Sequence, residues 1–437
     1  MKLNRLASLA AAIALILAPI VPANAAPPQV SIVGPTDLFQ DVVGGNAQAG
    51  NVYASALTLA GYNGSLPTKG NALIGGDAAT NLWQRGTTGS SVTTTTTYGG
   101  PDRFAYWSGT ATAMTVSRDS TAADLPASAY PYAFKMARTS GQTGVIPVCM
   151  AQAVETANSY QFQGQTAEFD FHAVAGANFS AASSNITAYI VTGTGVDEGI
   201  AKMAFGINAG GGGGSGWTGQ ANATAAVIPI STVNGRYAAI ATIPTTATEI
   251  GVAICWTPVG TAGTNDYIAL AGLQLVRNSS LAASVSTTVG QVCGTTAGTV
   301  QCAAFDRRLQ GVETMLQLRY FYQITESSTS KIVEGECISS TTSISNCFVK
   351  FPQNMRVAPT MTYATGFLAS AQAASTSGFA CTGLTTSATV TGFGPSTTGV
   401  LIDCASSAGG PAAGTAGWFW DAGTGSPTGS IQASAEL

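Results

Sequence analysis

From residue 71 to the C-terminus the chain is a succession of short β-prone runs broken by Gly, Asn and Thr turns. This spacing constrains the fold more than any other feature. The runs are 113–116, 144–148, 169–174, 186–191, 237–243, 250–256 and 268–275. Strands of this length, without helical patterns between them, build antiparallel sandwiches or jelly rolls. One segment breaks the rhythm. Between 307 and 322, Leu309, Val312, Met315, Leu316 and Tyr320 recur at helical spacing, with Glu313 and Arg319 polar. This segment is expected to be the one sizeable helix and to mark a domain boundary. Beyond it the strand-and-turn style returns at 348–351, 360–363, 388–392 and 400–403.

The expected fold is therefore all-β: two antiparallel β-sandwich, jelly-roll-like domains joined by one short helix, with an extended N-terminal arm. The expected divisions are 1–25, a signal peptide; 26–64, an extended arm or docking segment; 65–304, a jelly-roll domain with a disulfide hairpin insertion; 305–325, the helix; and 326–437, the C-terminal sandwich. The signal-peptide reading rests on Lys2 and Arg5, an apolar run over 6–20, and Ala23-Asn24-Ala25 before Ala26-Pro27-Pro28. Pro19 and Pro22 cut that run short of a membrane span.

Charge narrows the function. Only 9% of the residues are charged, with 17 basic against 21 acidic, where a soluble domain carries about 25%. A coiled coil lacks its surface charges here. The net charge of -4 gives no basic surplus for nucleic acid. With 16 Phe, 13 Tyr and 6 Trp the chain can build cores, so disorder is excluded too. A protein exported to the cell exterior or a virion surface fits this composition.

Export gives the eight cysteines a meaning. An even number in an exported chain reads as a disulfide framework. Proximity pairs Cys293 with Cys302, Cys337 with Cys347, and Cys381 with Cys404. Cys149 and Cys255, in two apolar runs, are left to each other. No Cys-x-x-Cys occurs and His172 is the single histidine, so no metal or other cofactor is expected.

Candidate chemistry is sparse. Strand alternation puts Glu168, Asp170 and His172 on one face and Phe169 with Phe171 on the other. Two carboxylates and an imidazole can do acid–base work. The plainer reading is a solvated polar face behind a core face, and it is preferred. The glycines at 210–214 lack the lysine and helix of a phosphate loop and read as a mobile loop before Trp217. Aromatics point to binding instead. Trp256 lies in an apolar run and reads as core. Trp217, and the Trp418 and Trp420 pair between glycine-rich turns, are the ligand-binding candidates, since exposed rings stack on flat, uncharged sugars.

The motif at 71–76 (Asn-Ala-Leu-Ile-Gly-Gly), those at 81–86 and 102–104, and the runs 256–258, 260–266 and 272–275 resemble the opening and closing strands of the jelly-roll module in tailed-phage tail-fibre proteins. Segments 305–308, 313–317 and 319–322 are similar to the helix that follows in that family. Phe351-Pro352, Met355-Arg356 and Pro359-Thr360 are similar to the start of its C-terminal sandwich. The resemblance spans about residues 65 to 437, in consistent order. It implies a virion structural protein without a catalytic set, homo-oligomeric (a trimer, for example), contacting other virion subunits and a cell-surface polysaccharide. Residues 277–304 look like an insertion, and the signal peptide and cysteines depart from a phage protein assembled in a reducing cytoplasm. The expectation is a non-enzymatic fibre-like attachment protein in which the helix and low-charge faces pack subunits. The alternatives are a purely structural filament or decoration subunit, a secreted adhesin of phage origin and, last, a polysaccharide hydrolase.

Overall fold

A computed structural model describes residues 70–87, 96–108, 114–126, 129–207, 215–278, 288–295, 298–325, 333–364, 367–370, 379–387, 394–406, 412–421 and 430–437. The expected signal peptide and arm, the glycines at 210–214 and the run at 388–392 lie outside the described residues.

Among the described residues, four antiparallel sheets carry the fold. The first runs in the order β1 (Thr97–Tyr98), β2 (Ala105–Ser108), β5 (Val148–Val154), β10 (Glu249–Trp256), β7 (Asn185–Gly193) and β8 (Ala221–Pro229). The second runs β12 (Gln291–Val292), β9 (Gly235–Thr242), β6 (Thr166–Ala175), β11 (Tyr267–Arg277), β4 (Ala133–Arg138) and β3 (Met114–Asp119). The third is β13 (Phe321–Thr325), β22 (Ser430–Ser434) and β16 (Thr360–Ala364). The fourth has seven strands: β18 (Phe379–Ala380), β17 (Phe367–Ser370), β21 (Ala416–Asp421), β14 (Val333–Ser339), β15 (Ile344–Lys350), β20 (Gly399–Ala405) and β19 (Gly383–Thr386). The fold is all-β.

Alternating side chains supply each core. Phe169, Phe171 and Ala173 of β6 face Met150, Ile190, Val252 and Ile254 of the first sheet. Trp256 is buried among them, as its apolar surroundings predict. In the C-terminal half, Cys337, Cys347, Val349, Ile402 and Phe419 of the fourth sheet pack on Ile324, Ile431 and Ala433 of the third. Strand β10 is buried along its whole length, so both faces of the first sheet are covered.

All four expected disulfides form: Cys149–Cys255, Cys293–Cys302, Cys337–Cys347 and Cys381–Cys404. Cys149 faces Cys255 directly across β5 and β10, and Cys337 faces Cys347 across β14 and β15. Four bridges suit an extracellular or secreted protein. Among the described residues, no helix is long and apolar enough to cross a membrane.

The structure corrects the helical readings. Besides α1 (Thr156–Ser159), an unanticipated α2 (Ile200–Gly206) lies on the first sheet. The helix at the boundary, α3 (Gln310–Leu318), is shorter than the 307–322 period implies. Its N-terminal side stays extended because Asp306 accepts a hydrogen bond from the Asn71 amide and Arg308 donates to the Leu73 carbonyl. On its C-terminal side, Phe321–Thr325 pairs with β22 as a strand. The expected strand at 144–148 starts only at Val148. The Gln142 and Gly144 carbonyls instead accept from Arg138, each at 2.9 Å, and Arg138 forms a fully buried ion pair with Asp266 at 2.8 Å.

Segments 81–86, 102–104 and 319–322 meet where the helix enters the C-terminal sheets. The Arg103 guanidinium lies 3.5 Å from the centre of the Tyr320 ring, and that of Arg85 lies 3.4 Å from the Phe321 ring. Glu436 pairs with both arginines. The Leu82 amide donates to Gln317 at 2.8 Å, and Arg319 reaches Glu155 at 3.0 Å. Burial pushes the Asp102 carboxyl up to about 6, against the pull of Arg85.

Candidate functional site

The acid-bearing face of β6 is closed. Glu168 and Asp170 are fully buried, which corrects the expectation of a solvated face. The covering layer is the extended segment that leads to α3. Glu168 accepts hydrogen bonds from the Ala303 amide at 2.9 Å and from Asn278. Asp170 takes Arg236 Nε at 3.0 Å and Gln274 Nε2 at 2.8 Å. Gln274 also binds the Ala303 and Ala304 carbonyls, at 3.1 and 3.2 Å. A bulge in β11 brings it there: pairing shifts between Ala271 and Gln274, where Gly272 has φ +60° and a Cβ would lie 2.2 Å from the Tyr130 hydroxyl. Burial holds the Asp170 carboxyl above its ordinary range although Arg236 opposes it. His172 packs on Tyr130 at 5.4 Å, and burial lowers its pKa. These groups tie the segment that leads to α3 to the sandwich.

Trp217 is also closed off, and its reading as an exposed ligand contact is corrected. Its indole is buried in the cluster that holds Ile200, Met203, Trp107 and the Cys149–Cys255 bridge. Nε1 donates to the Glu198 and Gly199 carbonyls, each at 3.1 Å. An apolar outer sheet face requires a cover, and Trp217 with α2 supplies one.

The fourth sheet has an uncovered outer face. In β21, Phe419 is fully buried, so its neighbours Trp418 and Trp420 point outward; Trp418 is 40% exposed and Trp420 half-buried. In β14, inward Cys337 sends Glu336 and Ile338 outward. In β15, inward Cys347 does the same for Asn346 and Phe348. Registers align these residues in two rows. Trp418, Glu336, Phe348 and Leu401 stand side by side across β21, β14, β15 and β20. One strand repeat away, Ala416, Ile338, Asn346 and Asp403 form the second row. All of them but the buried Asp403 line a groove of about 600 Å³. Phe348 is 47% and Ile338 54% exposed. Asn346 donates to Asp403, which steadies the polar end.

Trp418 is thus the sequence-derived candidate that lines the groove, and Trp420 shares its face. Glu336, Ile338, Phe348 and Leu401 escaped the sequence reading, although the parity of the flanking cysteines carries a signal for three of them.

No protein-family model matches the chain, and no curated protein matches it. Among solved structures, the chain is similar to a carbohydrate-binding module (CBM4), at 12% identity and a TM-score of 0.25, covering 40% of this chain and 87% of that one. It is also similar to the enzymatically active domain of tailspike protein 4 of bacteriophage CBA120, at 10% identity and a TM-score of 0.26, covering 48% of this chain and 21% of that one.

Proposed function

We propose that the protein is a non-enzymatic, fibre-like attachment protein that holds a cell-surface glycan in the groove of its C-terminal sheet. The observation that carries this reading is the open row of Trp418, Glu336, Phe348 and Leu401. Two exposed rings, roughly 10 Å apart with one strand between them, match alternate sugars, one disaccharide repeat apart, in an extended chain. Asn346 and Asp403 set polar groups beside them, as ring stacking with orienting hydrogen bonds requires. The net charge of -4 gives no basic surplus for phosphate or nucleic acid. The capture of Glu168 and Asp170 by Ala303, Asn278, Arg236 and Gln274 supports binding over hydrolysis, because neither pair of oxygens faces an open cleft.

An array of bacterial surface polysaccharides, probed with the exported chain, tests the proposal. Binding to one polysaccharide class that is lost in Trp418→Ala/Phe348→Ala, with an unchanged melting curve, is the expected result. A folded chain that binds no polysaccharide overturns it.

A second reading, self-association through α3, has its own observation. Leu309, Val312 and Met315 are 79%, 49% and 56% exposed, whereas Glu313 and Gln317 are buried. A second copy of the chain, which presents the same apolar stripe, is the occupant assigned to it. A homo-oligomer of fibre or filament type, on a virion or a bacterial surface, would use it.

A further inference from the structure

We infer that the glycan held in the groove carries free amino groups, as an unacetylated amino-sugar polymer does; this rests on the groove being the glycan site. The observation is the position of Glu336. Its register partners are Trp418 on one side and Phe348 on the other, so a carboxylate stands between two exposed aromatic rings. Among the described residues it makes no ion pair and no hydrogen bond. Asp403, the acid at the end of the neighbouring row, is buried and held by Asn346. Strands β14, β15, β20 and β21 together carry Glu334, Glu336, Asp403 and Asp421 against a single base, Lys350. Lys350 lies one strand repeat beyond Phe348, roughly 7 Å along β15.

A carboxylate flanked by aromatic faces is the chemistry of a cation site. Ring quadrupoles attract an ammonium group over their faces, and the carboxylate neutralises it. A neutral sugar stacked on the same rings covers Glu336 without giving it a charged partner, and desolvating an unpaired carboxylate opposes binding. The groove therefore discriminates by charge among sugars of one shape. An ammonium at the end of a lysine side chain has the same charge but not the flat apolar ring face that two spaced aromatics would hold, so the sugar is the source assigned.

The test is calorimetric titration of the full chain at about pH 6 and low salt with three probes of equal length. These are a β-1,4 glucosamine hexamer, its fully N-acetylated counterpart and hexalysine. The glucosamine hexamer should bind about tenfold more tightly than the acetylated one, and the preference should shrink in about 0.5 M salt. Glu336→Gln should remove the preference, so that the two sugar hexamers bind alike, with an unchanged melting curve. Equal or tighter binding of the acetylated hexamer, or a preference that survives Glu336→Gln, overturns the inference and leaves the glycan groove standing. Hexalysine binding as tightly as the glucosamine hexamer overturns the assignment to sugar. No binding by either sugar hexamer, while the array returns another polysaccharide, overturns the inference alone; no binding anywhere overturns both readings.

Discussion

The N-terminal and C-terminal sandwiches treat their outer sheet faces in opposite ways. Around the first, outward-facing side chains are roofed: α2, Trp217 and Leu437 cover the Cys149–Cys255 side, and segment 303–306 covers Glu168 and Asp170. On the second, the side opposite the core presents Trp418, Phe348 and Ile338 to solvent. Composition alone does not separate the two, because both faces mix aromatics with acids. Only a covering segment makes the difference. A roofed face converts its polar groups into stability, whereas an open one leaves them for a ligand. Substitutions should therefore cost folding in the first region and binding in the second.

The sharpest way to break that contrast is to truncate one tryptophan from each. Trp217→Ala empties a buried site and removes the cover of the disulfide cluster, so about 3–5 kcal/mol of stability should be lost in urea unfolding. Trp418→Ala should stay within about 0.5 kcal/mol on the same measurement. It should weaken glycan binding about tenfold, roughly 1.4 kcal/mol. Equal destabilisation by both would abolish the distinction between roofed and open faces.

The next effect concerns the roof over β6. Asp170→Ala leaves Arg236 and Gln274 without their carboxylate, inside a layer that also anchors segment 303–306. Arg236 retains some solvent access, so the expected loss is about 2–3 kcal/mol, below the value for a fully buried pair. Glycan affinity should not move. Release of oligosaccharide from a capsule, abolished by this substitution, would instead mark the acids as catalytic.

Closed polar layers should also make folding sensitive to pH. Burial raises Asp102 to about 6, whereas an unfolded aspartate titrates near ~3.9. The folded state thus holds the proton more tightly. The contribution is complete below about pH 4 and is lost as pH climbs through about 6. Relative to Asp102→Asn, the wild type should lose on the order of 2 kcal/mol across that window. Asp170, also raised by burial, acts in the same sense. Trp418→Ala should leave the slope unchanged. A wild-type profile parallel to that of Asp102→Asn would show that the carboxyl is not held in a dry site.

Much of this contrast was legible in the sequence, and the rest shows where local pattern stops. The disulfide pairs followed from proximity, because three of them close short loops and the fourth was left by elimination. Strand parity around Phe419 correctly turned Trp418 outward. The same parity applied to Cys337 and Cys347 turns Glu336, Ile338, Asn346 and Phe348 outward as well, yet their neighbourhood depends on register across four strands, which is a long-range property. Trp217 and the Glu168–Asp170 face went wrong for a shared reason. Each is covered by a segment distant in sequence or by a helix too short to show a period, and alternation says which way a side chain points without saying what lies on top of it.

The smallest expected effect on stability tests a second apolar face that no described part of the chain covers. Helical period grouped Leu309, Val312, Met315, Leu316 and Tyr320, but the structure separates them: the first three stand in solvent and Tyr320 is buried. In the structure the opposite side is inward: Glu313 binds the Gly75 amide and Arg308, and Gln317 binds Leu82 and Thr80. Gly76 lets that segment approach closely, since a Cβ there would lie 2.1 Å from the Leu273 carbonyl oxygen. Polar bonds thus dock α3 from within, and its apolar side stands in solvent. Leu309→Ser/Met315→Ser should alter urea stability of the monomer by no more than about 0.5 kcal/mol, because both side chains are already in water. Light scattering should nevertheless show the assembled species falling to one chain. If the mass stays at an oligomer, the stripe is not the interface; if stability drops by several kcal/mol, the stripe belongs to a core, and α3 joins the roofed region.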